Sequence, residues 1–580
     1  MQTPPSNKKS SAIVTMCLLF TVFLACAIFE MVPPAQAAMP MVDRVQAVIQ
    51  ARLDGDPATL SLSCRGEMIC GIDMLPLAYR DKEHLPLWID ATLHLEKAEA
   101  LADAISRAGE DGLAPFDYHL EAIRNLLAEI CEQSSAAGPT SVSPDVWADL
   151  DLILTDAFLL YGSHLAAGRV NPETLHTDWK INPGAVDLLA SLDRATSTGD
   201  IDAELEKLRP AHSGYRNLRN ALAQLRSLAA ARGWPVMDDS QTLRPGDTGS
   251  AVVGLRRRLA VTGDLGPTSP DEDPLYFDAA LASAVKRFQQ RNGLNADGIV
   301  GRDTIGMLNV PVDQRIRQVE LNLERWRWLP HDLGARYILV NTADFTLKTV
   351  ENGQVGLQMR VVVGRPARRS PVFSANMTYL VVNPYWNVPT IIAIEDILPE
   401  LQKDVAYLAQ RGIRVFRNWE VDAPEVDPAA VDWRAYHANR FPFRLRQDPG
   451  PYNALGHLKF MFPNQFAVYL HDTPNRSLFK RIQRDFSSGC IRVEAPVALA
   501  NFALAGDERW TPNALTDAIE TGNTRTILLK HPVPVHLLYM TAWADETGEI
   551  QFRSDIYDRD RDLLKALNQR RTYQATAFLH

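Results

Sequence analysis

Cysteine is scarce in this sequence, with six residues among 580, and so low a count excludes a scaffold held together by many disulfides. Positive charge is not in excess either, because 60 Lys and Arg residues stand against 70 Asp and Glu residues, a formal net charge of −10. Proteins that bind nucleic acid usually present a concentrated basic field that displaces counterions. We therefore expect no nucleic-acid partner.

Metal-ligand spacing is also missing, since no H-E-x-x-H or comparable cluster occurs among the 13 histidines. A zinc hydrolase needs such clustered ligands, so we expect neither a metal nor another cofactor. Wholesale disorder is excluded by a composition of 46% hydrophobic and 22% charged residues, which is near the average for globular proteins. At roughly 100–200 residues per domain, the length predicts three to five domains.

Long hydrophobic runs are confined to the N-terminus, where Lys8 and Lys9 precede an apolar run over residues 12–29. An Ala-Gln-Ala sequence follows and ends at Ala37. A basic start, an apolar middle and a small-residue site predict a signal peptide over residues 1–37, cleaved after Ala37. The alternative is a retained inner-membrane anchor, because a run of 18 apolar residues can just span a bilayer. Either interpretation places the remaining chain in the periplasm.

Cleavage would leave four cysteines, which are Cys64, Cys70, Cys131 and Cys490. Cys64 and Cys70 lie close together in a glycine-containing, loop-like stretch. They could form a small disulfide loop in an oxidising compartment or remain two buried thiols, and the sequence favours neither. No role is assigned to Cys131.

Helical periodicity dominates residues 85–235. Apolar residues recur there at three- and four-residue spacing, which is typical of helices with one buried face. Examples are Ala98, Leu101, Ala102, Ile105, Leu150, Ile153, Leu154, Ala157 and Tyr161. Because the region has no cluster of reactive side chains, we interpret it as a helical scaffold domain. Residues 38–84, which precede it, are mixed in pattern and predict a strand/loop segment.

Residues 243–311 form a separate small unit. A turn around Asp247 and Gly249 precedes one helical stretch. A second stretch has apolar residues at i, i+3, i+4 and i+7, namely Leu281, Ala284, Val285 and Phe288. A glycine-rich turn from Gly293 to Gly301 leads into a last short helix. The periodicity predicts a compact three-helix module.

From about residue 335 the pattern changes to short β-branched runs broken by Gly and Pro. These runs predict a mainly antiparallel β domain over residues 335–517; they lie at 337–341, 345–350, 358–364, 379–382, 458–462 and 466–470. The stretch 395–455 interrupts them with helical and loop character, and an insertion of that length is usually a functional cover. Residues 518–580 are interpreted as a C-terminal extension packing on this domain. The predicted fold class is multidomain α+β.

Cys490 and His471 carry the most specific chemical signal. His471 ends a predicted strand, and Cys490 follows 19 residues later in the stretch Phe-Ser-Ser-Gly-Cys-Ile-Arg-Val. A thiolate is the nucleophilic form of cysteine, and an adjacent imidazole can take the thiol proton. Residues 471–492 hold five basic residues against two acidic ones, and we expect this field to lower the Cys490 pKa. The amides of Gly489 and Cys490 are candidate donors to an oxyanion.

The alternative is that Cys490 is a small buried hydrophobe and His471 a cap at the end of a strand. Two features favour catalysis. An unpaired thiol kept in an exported chain needs a reason, and the Ser-Ser-Gly sequence before the cysteine is poor material for a hydrophobic core.

This segment resembles the signature of YkuD-type L,D-transpeptidases, in which a strand-end His precedes a Ser/Thr-x-Gly-Cys-x-Arg/Asn block. Many members have a second His two residues before the Cys, where this sequence has Ser488. Further strings at 322–330, 383–389 and 449–456 are similar to the long, lid-bearing YcbB-type subgroup. The three-helix module resembles the peptidoglycan-binding domain of cell-wall enzymes through its first turn, residues 285–289 and its glycine-rich turn.

The resemblance implies a fold and a set of roles. The catalytic domain would carry Cys490 as nucleophile, His471 as proton donor and acceptor, and Gly489 as an oxyanion amide, with residues 395–455 as a lid over the site. The implied substrate-binding residues are Tyr469, Ser488, Arg492 and Trp386, and no metal is implied.

The implied substrates are peptidoglycan stem peptides. A donor tetrapeptide would lose D-alanine, and the side-chain amine of diaminopimelate in an acceptor stem would complete a 3→3 cross-link. Carbapenems would acylate Cys490, and other wall-synthesis enzymes are further candidate partners. Two alternatives use the same Cys/His site, an L,D-carboxypeptidase and a lipoprotein-attaching transpeptidase. A third is a non-catalytic wall-binding scaffold.

Overall fold

The computed structural model of the chain describes residues 39–54, 63–71, 73–238, 241–267, 273–438 and 440–569. The predicted signal peptide and the alternative membrane anchor therefore lie outside the described residues. So does the last part of the predicted C-terminal extension.

The region before the scaffold is mostly helical, and the strand/loop prediction for residues 38–84 is wrong in this respect. Its elements are helix α1 Met41–Leu53, strands β1 Ser63–Cys64 and β2 Glu67–Met68, and helix α2 Leu75–Arg80. Helix α1 buries one apolar residue per turn, every fourth residue from Met41 to Leu53. Additional apolar residues between these positions, such as Val42 and Val48, weaken the helical period in the sequence. Cys64 and Cys70 are not joined by a disulfide; the Cys64 thiol is buried, and the Cys70 thiol donates to the Met68 carbonyl at 3.6 Å.

The predicted scaffold is confirmed as helical. Its elements are α3 Glu96–Ser106, α4 Leu120–Ala137, α5 Pro144–Ala167, α6 Pro172–Leu175, the short strand β3 Trp179–Lys180, α7 Leu188–Thr198, α8 Ile201–Leu208 and α9 Ser213–Ala230. Every apolar residue used to predict the helical faces lies in the buried core.

Helix α5 forms the centre of the scaffold. Ser143 caps its start by accepting the Asp145 N–H at 3.2 Å, and Gly168, with a φ of 83°, ends it. Among the described residues it is the one helix long and apolar enough to cross a bilayer, but 94% of its apolar window is buried inside the protein. The other scaffold helices supply that apolar environment.

The three-helix module contains α10 Ser250–Val261, α11 Ala279–Arg291 and α12 Arg302–Leu308. The predicted apolar face of α11 is confirmed, because all four of its residues lie in the module core. The Gln289 side chain fixes the glycine-rich turn by accepting the Gly298 N–H at 2.9 Å and donating to the Ile299 carbonyl at 2.9 Å. Helix α13, Val312–Arg327, then packs between scaffold helix α9 and the β domain.

The strands of the β domain and its insertion are β4 Arg336–Asn341, β5 Thr346–Glu351, β6 Gln354–Gly364, β7 Val372–Val382, β8 Trp386–Asn387, β9 Ile413–Phe416, β10 Glu425–Val426, β11 Arg444–Gln447, β12 Leu458–Met461, β13 Leu470–His471, β14 Asp485–Ser487, β15 Ile491–Val493, β16 Arg525–Leu538, β17 Ala542–Ala544 and β18 Ile550–Phe552. The helices are α14 Thr390–Ile392, the π-helix Ala393–Ile397, α15 Leu398–Leu401, α16 Ala406–Gln410, α17 Pro496–Leu504, α18 Pro512–Glu520 and α19 Arg559–Leu567.

The main sheet has the strand order β12-β13-β15-β6-β5-β4-β16-β7-β3. Because β12 also pairs with β7, the sheet closes into a barrel-like form around an apolar core. The sheet contains four parallel strand pairs in addition to its antiparallel ones. The parallel pairs are β13–β15, β14–β6, β16–β4 and β3–β7. The edge strand β3 comes from the scaffold, so the scaffold and the β domain share one sheet.

Two predictions about this sheet need correction. Strand β16 lies between β4 and β7, so residues 518–580 supply a central strand rather than an extension packed on the domain. The predicted strand 466–470 is mostly a turn, since only Leu470 belongs to β13. Ala467 has a φ of 52°, and Asn464 closes the turn by donating to the Phe462 and Val468 carbonyls at 2.7 Å each.

The insertion between β7 and β12 is a folded unit with its own sheet, ordered β10-β9-β11-β8. Its hydrophobic core runs from Val388 to Leu445. It begins at Trp386, nine residues before the predicted start at 395. Its strands have charged residues at alternate positions, and Arg444 and Arg446 each lie 4.6 Å from the ring centroid of Phe416. This covers the arginine stems with an aromatic surface.

Candidate active site

The strand pairings bring four of the predicted site residues onto one face of the sheet. His471, the last residue of β13, pairs in parallel with Arg492 of β15, and the preceding pair of Leu and Ile is fully buried in the barrel core. Side chains alternate across a strand. His471 and Arg492 therefore point to the opposite face, and so do Tyr469 and Cys490, which lie one step earlier on each chain segment.

Cys490 is half-buried, and Tyr469 contributes hydrogen bonds to its sulfur from the backbone N–H and the hydroxyl. Burial raises the Cys490 pKa above the ordinary thiol value, while these hydrogen bonds and the charges of Lys459 and Arg492 oppose the rise. Local positive charge does act to lower this pKa, as expected, but the expected net decrease is wrong. The loss of hydration of the thiolate outweighs the field.

His471 is buried and neutral. Burial, together with the positive charges of Arg492 and Lys459, lowers the His471 pKa to about 3. Its Nδ1 lies 2.5 Å from the Asp472 carbonyl oxygen. Because a carbonyl can only accept, Nδ1 carries the proton and Nε2 keeps its lone pair. The ring is also held edge-on to Tyr469, with centroids 5.6 Å apart.

Lys459 is a site residue that the sequence analysis missed. It lies on β12, directly opposite His471, and its Nζ is 4.0 Å from the Tyr469 ring centroid. A lysine flanked by Leu458 and Phe460 in an otherwise apolar strand was the available signal.

Lys459 and Arg492 have no acidic partner among the described residues, and Arg492 Nε is buried without a hydrogen bond. Burial lowers the pKa of both side chains. Two partly buried cations beside the thiol make a position suited to an anionic group.

Two other basic residues of this segment, Arg476 and Arg484, bind groups of the surrounding loop and sheet. Arg476 forms an ion pair with Asp472 and donates to the Glu494 carbonyl at 2.7 Å. Arg484 donates to backbone carbonyls, including that of Arg481 at 2.6 Å. A count of charges along the sequence therefore overstates the field at the sulfur.

The turn before Cys490 is held by serine side chains. The Gly489 N–H donates to Ser487 Oγ at 3.1 Å, and Ser487 Oγ donates to the Cys490 carbonyl at 2.5 Å. Ser370 Oγ donates to the Gly489 carbonyl at 2.8 Å. The Gly489 amide, predicted as an oxyanion donor, is thus occupied. Within the part of the chain that the structure describes, no acceptor is found for the Cys490 amide.

Ser488 connects this turn to the insertion. Arg368 Nη1 donates to Ser488 Oγ at 2.9 Å and to Asp396 Oδ2 at 2.6 Å. Arg365 also pairs with Asp396, at 2.9 Å. Asp396 lies in the π-helix of the insertion, so one buried arginine contacts both the insertion and the residue two places before Cys490.

Trp386 lies on β8 opposite Gln447 and packs against the core of the insertion, and its substrate-binding role stays a prediction. As regards metals, the described residues contain no group of three or more His, Cys, Asp and Glu side chains able to hold an ion. The site that the geometry does assemble consists of Cys490, His471, Tyr469, Lys459 and Arg492.

Comparison with known proteins assigns three regions of the chain to families. Residues 335–515 match the family described as "L,D-transpeptidase catalytic domain", and residues 248–308 match "Putative peptidoglycan binding domain". Residues 74–222 match a family described as "Scaffold domain". All residues of the assembled site lie within the first of these regions.

A curated relative from Haemophilus influenzae, named "Putative L,D-transpeptidase", is 37% identical over 247 residues, 43% of this chain and 49% of the relative. The chain thus matches about half the length of that protein. The amidase CwlM of Mycobacterium tuberculosis is 40% identical over 76 residues, 12% of this chain and 19% of the relative.

Among solved structures, an L,D-transpeptidase from Stackebrandtia nassauensis is 14% identical and covers 52% of this chain and 96% of its own, with a TM-score of 0.20. One from Mycobacterium smegmatis is 12% identical and covers 35% and 58%, with a TM-score of 0.18. The family matches decide the assignment: the chain carries a peptidoglycan-binding domain and a YkuD catalytic domain that belongs to the L,D-transpeptidase family of acyltransferases.

Proposed function

We propose that this protein is a periplasmic peptidoglycan L,D-transpeptidase that forms 3→3 cross-links through a cysteine acyl-enzyme. The observation that carries the proposal is the assembled site. A thiol receives hydrogen bonds from Tyr469, lies on the same face as a neutral His471 with a free Nε2, and is accompanied by two cations without acidic partners. A buried core cysteine needs none of these features.

In the first step, His471 Nε2 takes the Cys490 proton as the sulfur attacks the carbonyl of the third residue of a donor tetrapeptide. The oxyanion accepts the Cys490 N–H, the amide that the described contacts leave open, a donor typically worth about 3 kcal/mol. When the tetrahedral adduct collapses, the C–N bond breaks. The imidazolium returns its proton to the leaving D-alanine amine, which leaves a thioester on Cys490.

In the second step, the diaminopimelate side-chain amine of a neighbouring stem attacks the thioester. His471 accepts a proton from that amine and delivers it to the departing sulfur, which restores the thiol and leaves an amide cross-link. Lys459 and Arg492 hold carboxylates of the stem peptides, since diaminopimelate and D-alanine each bring one. Arg492 in particular is the proposed partner of the diaminopimelate carboxylate.

The insertion acts in this proposal as a lid over the acyl-enzyme. It emerges between β7 and β12, whose Val382–Leu458 pair lies one residue from Lys459. Excluding water there would favour attack by the amine over hydrolysis. Trp386 and Ser488 would act through the lid and the turn respectively, because Trp386 packs in the insertion core and Ser488 is hydrogen-bonded to Arg368.

The test is incubation of the purified protein with disaccharide-tetrapeptide, with the products followed by mass spectrometry. A dimer that has lost one D-alanine is expected, and Cys490→Ala should abolish it. Cys131→Ser is the matched control, because Cys131 is an exposed thiol away from the site, and it should retain full activity. Tripeptide without dimer would replace the transferase by an L,D-carboxypeptidase. Activity in Cys490→Ala would overturn the thiol mechanism altogether.

A carbapenem provides an independent check. We expect one covalent adduct per chain, mapped to the Cys490 peptide, and none in Cys490→Ala. An adduct at Cys131 or Cys64, or no adduct, would contradict the assignment of the nucleophile.

A further inference from the structure

A second group of buried cations, two of which have no ion-pair partner among the described residues, lines a cavity far from Cys490 in the sequence. The cavity, of about 420 Å³, lies between the peptidoglycan-binding module, scaffold helix α9, helix α13 and strand β18. Arg258 and Arg291 enter it from the module and Arg315 from α13. Its volume is within the range of about 300–1,000 Å³ that is typical of sites for small ligands.

The three arginines are each more than nine-tenths buried, with exposures of 2%, 6% and 6% for Arg258, Arg291 and Arg315. The acid among them is Asp264, which is fully engaged by two hydrogen bonds from Arg291. Glu549, half-buried nearby, lies in the field of Arg291 and of the exposed Arg287, and does not line the cavity. The walls therefore keep a net positive charge.

Mutual repulsion is visible in these side chains. Burial and the neighbouring arginines lower the pKa of Arg315 to about 9, and burial with Arg291 lowers that of Arg258 to about 9. Burying like charges without partners is costly. An arrangement that only joined domains would more simply use neutral or ion-paired side chains.

Each guanidinium also keeps one nitrogen without an acceptor among the described residues. Arg258 uses Nε on the Leu308 carbonyl and Nη1 on Thr262, which leaves Nη2. Arg291 uses Nε and Nη2 on Asp264, which leaves Nη1. Arg315 uses both terminal nitrogens, on Gln318 and Asn292, which leaves Nε. None of these three nitrogens is among the fully enclosed atoms that lack a hydrogen bond. Each therefore remains accessible to solvent or to a ligand.

Aromatic rings complete the walls. Arg258 lies 4.2 Å from the Trp234 ring centroid, and Arg315 lies 4.2 Å from that of Phe552. Phe288 lies between Arg258 and Arg291, at 5.9 and 5.1 Å. Because the guanidinium groups lie over these rings, the aromatic faces hold the cations in place, and the remaining guanidinium N–H groups set the ligand chemistry, which suits a carboxylate.

We propose that this cavity is a second, non-catalytic binding site for a carboxylate-bearing peptidoglycan fragment, formed jointly by the peptidoglycan-binding module and helix α13. The naming of the fragment rests on the proposed function, whereas the anionic chemistry rests on the arginines alone. Occupation would tie the module to α13 and hence to the catalytic sheet, so that wall binding and catalytic-domain orientation become linked.

The experiment uses the full protein with Cys490→Ala, which prevents turnover, and isothermal titration with disaccharide-tetrapeptide. Two binding events are expected, one at Lys459 and Arg492 near Cys490 and one in the arginine-lined cavity. Arg315→Gln should abolish one event or weaken it at least tenfold, the loss expected for a charge-assisted hydrogen bond. Arg258→Lys, which keeps the charge, should weaken the same event less than Arg258→Gln. Thermal unfolding of each variant checks that it remains folded.

The matched control is Arg257→Gln, an exposed neighbour of Arg258 on the same helix, which should keep both events. Stem peptide with amidated carboxylates should lose the event assigned to this cavity. If inorganic phosphate binds here and the tetrapeptide does not, or if Arg315→Gln leaves both events intact, the proposal is wrong. Failure of the cross-linking assay would not affect this outcome, since the binding is measured without the nucleophile.

Discussion

Cys490 should behave in the resting protein as a protonated thiol and not as half of a thiolate–imidazolium pair. We predict that its rate of alkylation by iodoacetamide rises about tenfold per pH unit from pH 6 to 8.5, without a plateau near neutrality. The reason is that burial raises the Cys490 pKa while it lowers the His471 pKa to about 3. Both shifts oppose charge separation.

The ordinary pKa of a thiol bounds the size of the effect. Because burial raises the Cys490 pKa above the ordinary value of about 8.5, less than about 3% is thiolate at pH 7. Proton transfer to His471 in the resting site is opposed from both sides, since the thiol pKa is raised while the imidazole pKa is lowered to about 3. In the proposed mechanism, the ion pair therefore forms only during the reaction, with the bound substrate and the oxyanion donor present.

The assay is quantification of the alkylated Cys490 peptide by mass spectrometry across pH, with urea-unfolded protein as reference. His471→Gln should leave the shape of this profile unchanged while it abolishes acyl transfer. Lys459→Gln should move the rise to higher pH, because it removes a cation that opposes the raised pKa. A plateau with an inflection between pH 5 and 7, lost in His471→Gln, would refute the reasoning and establish a preformed ion pair.

Three further predictions concern stability and the insertion. The His471 pKa falls from about 6.5 in the unfolded chain to about 3 in the folded protein, so the unfolded chain binds more protons between these values. The free energy of unfolding should therefore drop by about 2 kcal/mol from pH 7.5 to 5. Urea unfolding should show a smaller drop in His471→Gln, and equal drops would count against the assignment. Gly456→Ala should lower the free energy of unfolding by about 2–4 kcal/mol, because the residue has a φ of 58° and a Cβ would overlap the Asp472 carboxylate. Gly306→Ala, at an exposed helix position with open space for a Cβ, should instead raise it by up to about 1 kcal/mol. Arg368→Gln should raise the ratio of tripeptide to dimer. A double-mutant cycle with Asp396→Asn, read from that product ratio, should give a coupling of about 1 kcal/mol. Arg414→Gln should leave the ratio unchanged, because the ion pairs of Arg414 to Glu425 and Asp448 stay within the insertion.

Elements with a regular apolar period could be predicted from the sequence. Helices α3, α5 and α11 bury the residues that their three- and four-residue spacing selected, because burial of one face is what sets that spacing. The placement of Cys490 and His471 on one sheet face could also be expected, since His471 ends β13 and Cys490 directly precedes the first residue of its partner strand β15.

Strand β16 shows why other parts could not be predicted. Its sequence contains two prolines within residues 525–538, and its pairing with β7 shifts register between Leu528 and Val533. Proline normally argues against a central strand. Pro532 lies within the register shift, whereas Pro534 is paired with Asn376 of β7. Lys459 was missed for a different reason. It lies near the candidate site because it faces His471 across a strand pair, and neither segment alone predicts that pairing.

Arg368 links the position of the insertion to the geometry of the turn at Cys490. Its Nη1 donates to both Ser488 and Asp396, and its side chain is only 8% exposed. If the insertion moved away, Asp396 and Glu395 would leave with it, and a largely buried guanidinium would keep Ser488 as its polar contact at the turn. A buried charge that loses its counterions is unfavourable, so Arg368 would have to follow the insertion or draw the turn out of shape. If the insertion is the proposed lid, a substrate that holds the turn in its reactive geometry therefore also favours the closed insertion, and by reciprocity closure favours the reactive turn.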